Sequence, residues 1–335
     1  MKNANANLMK EINLNNVRQV MKRMETATKP QLAALTKLSV VTVNSLVKEL
    51  QDRGEMVEDE IVPSNGGRPA LTYRYNFDYS LALVLYMREK EGQEQITASV
   101  VNLEDRVLFK EELVMPVFER QGFYEVMERL LEAYPSIKVI GMGIPGQAVN
   151  GIVTVTGHRE LTGYRMIEEI ESQFGLPVVV ENDMNAAISG YCAKQAADEE
   201  SCTVGIYFPA QYPPGMGIYL DGKIMRGKQG MAGEISFLPT AMLDWHGKLA
   251  PEVFLAGACR IIQSVNAVLA PDKVVIYQDR VGATVWESAW KAFLRQTPMA
   301  ANPEVVQLDT FQEDFEAGMR WLTLKALEPS LLELR

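Results

Sequence analysis

Apolar residues recur at helical spacing near the start of the chain. The pattern predicts three helices: residues 14–24, a second that follows Thr28 and opens at Pro30, and a third over about Val40–Gln51. Thr28 and Ser39 are residue types that cap helix N-termini. The inward positions of the third helix are Val43, Leu46, Val47 and Leu50. The short second and third helices, joined by a tight turn, are typical of a helix-turn-helix.

The outward side of the third helix carries short polar side chains near its N-terminus and a lysine one turn later. Such side chains suit base edges and a phosphate, respectively. We therefore predict DNA contacts for Ser39, Val41, Thr42, Asn44, Ser45 and Lys48. A small helical bundle with a solvated face is the alternative interpretation.

A hairpin is predicted directly after these helices. Glu55–Val62 and Pro69–Asn76 alternate like strands around a turn rich in glycine, which ends in Arg68. This arrangement predicts a wing whose Arg68 reaches the DNA backbone or a minor groove. The acidic run at residues 58–60 argues against that orientation, because carboxylates facing DNA would repel phosphate.

The rest of the chain alternates strands and helices after a linker at Phe77–Ser80. Two strands joined by a turn are predicted over Leu81–Met87 and Ile96–Asn102, and the same plan recurs over residues 203–226. A buried strand at Lys138–Ile144 and a closing helix from Phe311 are also predicted. One unit that occurs twice predicts a duplicated α/β lobe with a cleft between the copies.

The segment after the apolar run Val178–Val180 is the strongest candidate for chemistry in this region. Glu181, Asn182 and Asp183 follow the run at once, and an alanine-rich helix comes next. Open α/β sheets bind ligands at the carboxyl ends of their strands, where an exposed carboxylate with adjacent amides can hold hydroxyls. The same residue types also cap helices, and the pattern leaves both interpretations open.

Charge is unevenly distributed along the chain. The net charge is −10, yet residues 1–53 hold nine Lys or Arg against four Asp or Glu, a balance of +5, so the remainder carries −15. A basic start on an acidic body suggests that only the start meets a polyanion. The chain has no apolar run of the roughly 20 residues that cross a bilayer, and no signal peptide, so we expect a cytoplasmic protein without a membrane partner.

Several motifs then match one family in order and spacing: GGRPA, GMGIPGQAVNGIV, ENDMNAA and LDGKIMRGKQGMAGEI. With these motifs the chain resembles a transcriptional regulator of the ROK family (repressor, ORF, kinase), of the N-acetylglucosamine- and xylose-repressor type. The resemblance implies a winged helix-turn-helix before a sugar-kinase-like α/β body of actin/hexokinase (ribonuclease H-like) fold. The implied domains are residues 1–78, a first lobe at 79–199 to which 311–330 could return, and a second lobe at 200–335.

The resemblance also shows where this chain departs from the family's kinases. Their phosphate-cradling turn is replaced by REKEGQEQ, and the two later nucleotide turns by FPAQYPPG and YQDR. Phosphoryl transfer needs donors positioned by such turns, so the body is expected to be non-catalytic and to bind no ATP. Zinc is expected to be absent, because Ser236 and Phe237 follow AGEI in place of the family's histidine, His246 is isolated, and no cysteine cluster follows.

One side of a sugar pocket is implied by the same comparison. The effector-binding residues carried over by motif are Gly143, Gly146, Glu160, Asn182, Asp183 and Glu234. Asp183 matches the catalytic base of the kinases, whereas Glu160 stands where members often carry an asparagine. The implied partners are a double-stranded DNA operator, a small carbohydrate or sugar-phosphate effector, and a second copy in a homodimer or dimer of dimers. An active sugar kinase with a DNA-binding head and a ligand-free docking scaffold are the alternatives.

Overall fold

The computed structural model describes most of the chain. The described residues are 2–63, 69–90, 93–115, 120–144, 146–149, 152–155, 163–195, 200–209, 213–238, 245, 249–299 and 301–328. Within them the chain forms an N-terminal unit and two α/β lobes, each built around its own sheet.

The N-terminal unit packs three helices against a small sheet. Its elements are α1 (Lys2–Met24), β1 (Thr26–Thr28), α2 (Lys29–Thr36), α3 (Val40–Asp52), β2 (Met56–Val62) and β3 (Ala70–Tyr75). The strands are antiparallel in the order β1-β3-β2. All four residues predicted to face inward on the third helix are buried, so the helical spacing identified this core correctly.

Both predicted helix caps are confirmed. The backbone N–H of Thr28 donates to Gln31 Oε1 at 2.8 Å, while Thr28 Oγ1 accepts from the backbone N–H of Gln31, which completes a capping box at α2. At α3, Ser39 Oγ accepts from the backbone N–H of Thr42 at 3.1 Å. These caps satisfy N–H groups that lack partners inside the helix.

The first helix begins much earlier than predicted, at Lys2 instead of Leu14. The residues before Leu14 are mostly polar, so apolar spacing gave no signal there. Ion pairs with α3 and the residue that follows it hold this part instead: Lys10 Nζ lies 2.7 Å from Glu49, and Arg53 lies 3.1 Å from Glu11. Strand β1 was not predicted either, because three residues at a sheet edge carry too little pattern.

The first lobe follows the linker. Its elements are β4 (Leu81–Lys90), β5 (Gln93–Asn102), β6 (Val107–Met115), α4 (Arg120–Ala133), β7 (Ile137–Ile144), β8 (Gln147–Val149), β9 (Ile152–Val155), α5 (Met166–Phe174), β10 (Val178–Asn182) and α6 (Asp183–Lys194). The sheet order is β10-β7-β4-β5-β6, and β8 and β9 form a separate hairpin. The carboxyl end of β10 therefore lies beside that of its parallel neighbour β7.

The second lobe repeats this plan. Its elements are β11 (Cys202–Tyr207), β12 (Gly215–Leu220), β13 (Lys223–Ile224), two 3₁₀ turns at Lys228–Gly230 and Ile235–Phe237, α7 (Pro251–Leu269), β14 (Lys273–Tyr277), α8 (Ala283–Gln296), β15 (Glu304–Leu308) and α9 (Phe311–Lys325). The sheet order is β13-β12-β11-β14-β15. In both sheets a three-stranded antiparallel meander is extended by two parallel strands, which confirms the predicted duplication.

Helices α6 and α9, which follow the last strand of each sheet, cross between the lobes at close range. A Cβ on Gly190 would lie 2.0 Å from the Asp314 carbonyl oxygen, and a Cβ on Gly318 would lie 1.7 Å from the Ala186 carbonyl oxygen. Helix α9 also contacts β4 and β7, two strands of the first lobe. Glycine in both helices is what lets the backbones touch.

One described helix, α7, has the length and hydropathy of a membrane span. Its apolar residues Phe254, Ala258, Ile261 and Ile262 are buried in the core of the second lobe, where Trp286 packs with them. Membrane-like composition is therefore explained here by burial within the lobe.

Candidate functional site

The candidate cleft begins where β10 passes into α6. Asn182 is the N-cap of α6, and its Oδ1 accepts from the backbone N–H of Asn185 at 2.7 Å. Asp183 is the first helical residue, and its Oδ1 accepts from the backbone N–H of Met184 at 2.8 Å. The capping interpretation is therefore right for the side-chain oxygen of Asn182. The side-chain nitrogen of Asn182 and the second carboxylate oxygen of Asp183 are left for a ligand.

Asp183 is electrostatically unusual. Desolvation raises the pKa of its carboxyl group to about 6, against the stabilising pull of its backbone hydrogen bonds, and the negative charge of Glu234 raises it further. A carboxyl group with a pKa shifted in this way inside a cleft is a functional-site signal. Asp183 belongs to the first lobe and Glu234 to the second, so the site is built from both.

Glu234 is held by the turn that contains the AGEI motif. Gly233, with a φ of +94°, precedes it, and a Cβ at that position would lie 2.2 Å from the Met216 carbonyl oxygen. Only glycine fits this conformation and contact, so Gly233 fixes the chain that presents Glu234 against β12. Burial raises the pKa of the Glu234 carboxyl group as well.

Glu181 differs from its expected position. The side chain is only 6% exposed, and its Oε2 accepts from Nη2 of Arg226 at 2.5 Å. Its Oε1 accepts from the Asn185 side-chain amide at 2.9 Å and from the Asn182 backbone N–H at 3.1 Å. Glu181 is thus a buried, fully engaged carboxylate rather than an exposed hydroxyl ligand, and Arg226 is a cleft residue that the sequence pattern did not single out.

The two predicted glycines behave differently from each other. Gly143 is buried in β7, where a Cβ would lie 2.7 Å from the Phe315 ring and 2.8 Å from Tyr86 Cβ, so packing against α9 already accounts for this glycine. Gly146 follows the strand with a φ of +104°, a left-handed conformation that favours glycine. Glu160 lies outside the described residues.

Aromatic rings lie between the lobes close to the acids. Phe311, at the start of α9, stacks on Tyr207 with ring centroids 4.0 Å apart and meets Tyr277 edge-on at 5.4 Å. Desolvation raises the pKa of Tyr207 to about 12, with a further contribution from the nearby Asp183 charge. Sequence reasoning missed Tyr207, because a tyrosine ending a buried strand looks like any core residue.

The two segments that replace the later nucleotide turns of the kinases are joined by a hydrogen bond. Arg280 Nη2, from the turn that follows β14, donates to the Pro209 carbonyl oxygen beyond β11 at 2.6 Å. This contact and the Phe311 stack both lie at the carboxyl ends of β11 and β14, which are paired in parallel as far as Tyr207 and Tyr277. Most of the first turn, between β4 and β5, lies outside the described side chains.

Nothing in the described part of the chain groups three His, Cys, Asp or Glu side chains as metal ligands. Phe237, which stands at the position of the family's histidine, is 76% exposed at the end of its 3₁₀ turn. The three cysteines, Cys192, Cys202 and Cys259, are free thiols. His246 lies outside the described residues, and the absence of zinc stays a prediction.

The N-terminal unit presents the outer side of α3 to solvent. Asn44, Ser45 and Lys48 are exposed, and Val41 is 79% exposed. The Thr42 hydroxyl lies 2.8 Å from Ser39 Oγ, so these two hydroxyls are engaged with each other at the cap. The side chains open to a partner are therefore Val41, Asn44, Ser45 and Lys48, and Arg68 lies outside the described residues.

Cations on this unit fall into two groups. In one group, Lys10, Arg18 and Arg53 are paired with Glu49, Glu55 and Glu11, respectively. By contrast, Lys29, Lys37 and Lys48 form no ion pair with any described residue. Positive charge without an ion pair among the described residues thus lies on α2, on α3 and in the turn between them.

The hairpin carries the opposite charge along one edge. The acidic residues 58–60 are exposed on β2, which is an edge strand. A bulge there is held by Thr72, whose Oγ1 donates to the Glu60 carbonyl oxygen at 2.7 Å and accepts from the Glu60 N–H at 3.0 Å. A bulged, acidic edge discourages strand pairing and would repel a phosphate backbone.

Comparison with known proteins places this architecture among regulators and sugar kinases. Residues 90–275 match the family model described as ROK family. The chain is 26% identical over 242 residues to the xylose repressor of Caldicellulosiruptor bescii, covering 69% of this chain and 59% of that protein. It is 27% identical over 171 residues to the N-acetyl-D-glucosamine kinase of Pasteurella multocida, covering 46% of this chain and 51% of that protein.

A solved structure matches nearly the whole chain. It is a ROK family transcriptional regulator described as a homolog of the E. coli MLC protein, with a TM-score of 0.63 and 18% identity over 98% of this chain and 99% of that chain. At this identity the likeness shows the fold. The chain spans less than two thirds of the length of the xylose repressor and the kinase that it matches.

Proposed function

Because the chain belongs to the ROK family, as the match over residues 90–275 establishes, we propose that it is a DNA-binding transcriptional regulator, of the repressor kind. Its first unit acts as a winged helix-turn-helix that binds a double-stranded operator. Its two-lobed body acts as a non-catalytic sensor for a small carbohydrate or sugar-phosphate effector. The protein acts in the cytoplasm, without membrane or cofactor.

The observation that carries this proposal is the surface of α3. Exposed Val41, Asn44 and Ser45 lie near the helix N-terminus, and Lys48 follows one turn later. Amide and hydroxyl side chains at such positions read base edges, an exposed methyl group contacts thymine, and lysine binds phosphate. Lys29 of α2 and Lys37 in the turn before α3 add positive charge without an ion pair among the described residues, which favours a polyanion as partner.

The effector site is proposed for the cleft that Asp183 and Glu234 share. We assign hydroxyl binding to the second Asp183 oxygen, the Asn182 amide nitrogen and Glu234, with Gly146 at the approach. Glu160, which the family resemblance adds to the site, lies outside the described residues. Gly143 is left out, because α9 packing accounts for it. An effector held by residues of both lobes favours one lobe arrangement, and its effect on DNA affinity equals its differential affinity for the two arrangements.

Helix α9 connects the cleft with the N-terminal unit. At one end, Asp314 accepts hydrogen bonds from Tyr277 at 3.0 Å and from Lys194 at 2.8 Å. Further along, Arg320 binds Asp105 at 2.6 Å in the turn where Leu103 packs on the core of the first unit. Just beyond the end of α9, Glu328 lies 3.7 Å from Lys22 of α1. A lobe movement would thus reach the helices that bind DNA.

Assembly as a homodimer or dimer of dimers through the body would place two α3 helices on a palindromic operator. The two half-sites would lie about one helical turn of DNA, or a multiple of it, apart. A change in lobe arrangement would change that separation and so release the operator.

Operator binding tests the first half of the proposal. We expect the full chain to shift DNA from upstream of its own coding sequence in an electrophoretic assay. Lys48→Ala should weaken binding severalfold for all sequences and lower the salt dependence by about one counterion, since the lysine contacts phosphate. Asn44→Ala should cost about 1–3 kcal/mol and relax the preference at one base pair.

Lys291→Ala is the matched control, because this exposed lysine lies on α8 of the second lobe. It should leave DNA binding unchanged. Equal binding to operator and to random DNA would contradict the assignment of α3 as a reading helix.

Thermal-shift screening against sugars and sugar phosphates tests the second half, because a ligand that binds only the folded state raises the melting temperature. Asp183→Ala should abolish the shift and the release of DNA while leaving operator affinity intact. A screen without any shift would favour the docking scaffold over the sensor.

A sugar kinase is the second candidate, favoured by the relationship to N-acetyl-D-glucosamine kinase. Against it stand the Tyr207–Phe311 stack and the Arg280–Pro209 contact at the two nucleotide turns of the second lobe. Calorimetric titration with ATP and magnesium separates the two. Heat of binding in the presence of a hexose would support the kinase, and its absence would support the sensor.

A further inference from the structure

Arg226 joins the two lobes beside the proposed effector site. It follows β13 of the second lobe and donates from Nη2 to the buried Glu181 at the end of β10, 45 positions earlier in the chain. The Arg226 side chain is 55% exposed, whereas that of Glu181 is 6% exposed. One guanidinium edge is therefore anchored inside the cleft, and the rest faces solvent.

Glu181 is a fixed anchor for this guanidinium. Its other oxygen accepts from the Asn185 amide and from the Asn182 backbone, both in the first lobe. Because the carboxylate cannot turn without breaking these bonds, it sets the direction in which Arg226 lies. A pre-oriented guanidinium loses less side-chain entropy when it binds a second anion.

The backbone of Arg226 is also held in place. Its carbonyl oxygen accepts from the Ala232 N–H at 3.1 Å, which closes residues 226–232 into a loop directly before Glu234. The remaining N–H donors of Arg226 have no hydrogen-bond partner among the described residues. A guanidinium carries five such donors in a planar fork that matches phosphate and carboxylate oxygens, so donors stay available next to the acids of the site.

The positive charge of Arg226 indicates which class of ligand the cleft would bind, because the other charged groups of the site are acids. Asp183 and Glu234 suit hydroxyls, but both are acids with raised pKa values, and together they repel a negatively charged ligand. A neutral sugar needs only such acceptors. A site that also carries an oriented, solvent-facing guanidinium has one group that recognises an anion.

We propose that Arg226 binds an anionic substituent of the effector, so that the ligand is a sugar phosphate or a sugar acid rather than a neutral sugar. Phosphate and carboxylate share the chemistry that the fork recognises, and Asp183 with Glu234 holds the hydroxyl groups of the same molecule. This inference rests on the proposed sensor function of the cleft. The ligand would join the lobes, because Asp183 belongs to the first lobe and both Arg226 and Glu234 belong to the second.

The test measures affinity of the full chain by calorimetry for matched pairs: D-glucose, D-xylose and N-acetyl-D-glucosamine, each beside its phosphate ester, with D-glucuronate as the carboxylate. We expect at least one anionic member to bind ten times more tightly than its neutral partner. Arg226→Gln should remove that difference and leave the neutral partner within twofold. Arg226→Lys should restore part of it, since it keeps the charge and loses the fork.

Arg226→Gln leaves Glu181 as an unpaired buried carboxylate and could unfold the cleft. The same affinities are therefore measured for Glu181→Gln and for the double variant Glu181→Gln/Arg226→Gln. Neither of these two variants contains an unpaired buried carboxylate at position 181. Lys223→Gln, at an exposed lysine of β13 in the same hairpin, is the control for general loss of positive charge. It should leave every affinity unchanged.

Each outcome separates the inference from the function on which it rests. Neutral sugars that bind as tightly as their esters, with binding lost in Asp183→Ala and kept in Arg226→Gln, would overturn the role of Arg226 and leave the sensor standing. Equal weakening of neutral and anionic ligands by Arg226→Gln would make it a purely structural latch. Failure of every probe to bind would overturn the sensor and the inference together.

Discussion

Gly318→Ala is expected to destabilise the body by more than about 3 kcal/mol, since overpacking against rigid neighbours is costly. The added Cβ would lie 1.7 Å from the Ala186 carbonyl oxygen and 2.9 Å from the Gly190 nitrogen, and both are backbone atoms of α6 that cannot rotate away. Helices α6 and α9 would have to separate. The contact between α6 and α9 joins the first lobe to the last helix of the second lobe.

Urea unfolding followed by circular dichroism measures this effect. Gly282→Ala is the control, because the residue precedes α8 with an ordinary φ of −68° and a Cβ there would meet nothing within 4 Å. Gly282 is the N-cap of α8, where alanine is less favourable than glycine, so this variant should lose no more than about 1 kcal/mol. Equal stability of the two variants would show that α6 and α9 do not touch as closely in solution.

Asp183→Asn is expected to stabilise the folded chain at pH 7 while destroying its response to the effector. The pKa of Asp183 rises from 3.8 to about 6, chiefly because its charge is desolvated. The folded state therefore binds the proton more tightly than the unfolded state does. The stability that this group contributes is present below pH 4 and is lost as the pH rises through 6.

An asparagine keeps the hydrogen bond from the Met184 N–H and carries no charge to desolvate. At pH 7 the gain should be about 1–3 kcal/mol, since one pKa unit corresponds to about 1.4 kcal/mol and the side chain is partly exposed. Melting temperatures from pH 4 to 8 measure it. The variant and the wild type should converge near pH 4, and a difference that is independent of pH would contradict the assigned pKa.

The same shift predicts how ligand binding depends on pH. Hydroxyls donate to the ionised carboxylate, so affinity for a sugar should fall as the pH drops through 6 and Asp183 takes up its proton. A residue that costs stability and binds a ligand is an expected compromise at a functional site. If Asp183 served only as a helix cap, its pKa would be lowered, and replacing it by asparagine would destabilise the folded chain at pH 7.

The elements were largely predictable because each has a strong local cause. Period-3.6 spacing placed Val43 and Leu46 in the core, and the residue types at Thr28 and Ser39 placed the caps. Apolar runs located β7 and β10, and the repeated strand-turn-strand plan predicted the second lobe. Where local pattern was weak, as before Leu14 and in β1, the prediction failed.

The site was predictable only in part. The sequence pattern placed Asn182 and Asp183 where a buried strand passes into a helix, as β10 and α6 do, yet it said nothing about which oxygen a cap would occupy. Glu181 was expected to face a ligand and instead is buried on Arg226. Tyr207 and Phe311 stack between the lobes although a hundred residues separate them in the chain. Neither contact produces a periodic pattern in the amino-acid sequence.

The sequence by itself therefore determined the order of the elements, their caps, the three-helix core and the duplicated plan of the sheets, because these depend on neighbours within a few residues. Only the tertiary structure decided that α9 returns to the first lobe, that Glu181 pairs with Arg226, and that Asp183 and Glu234 share one cleft. Those facts depend on how two lobes pack, and packing is set by shape and desolvation across the whole body.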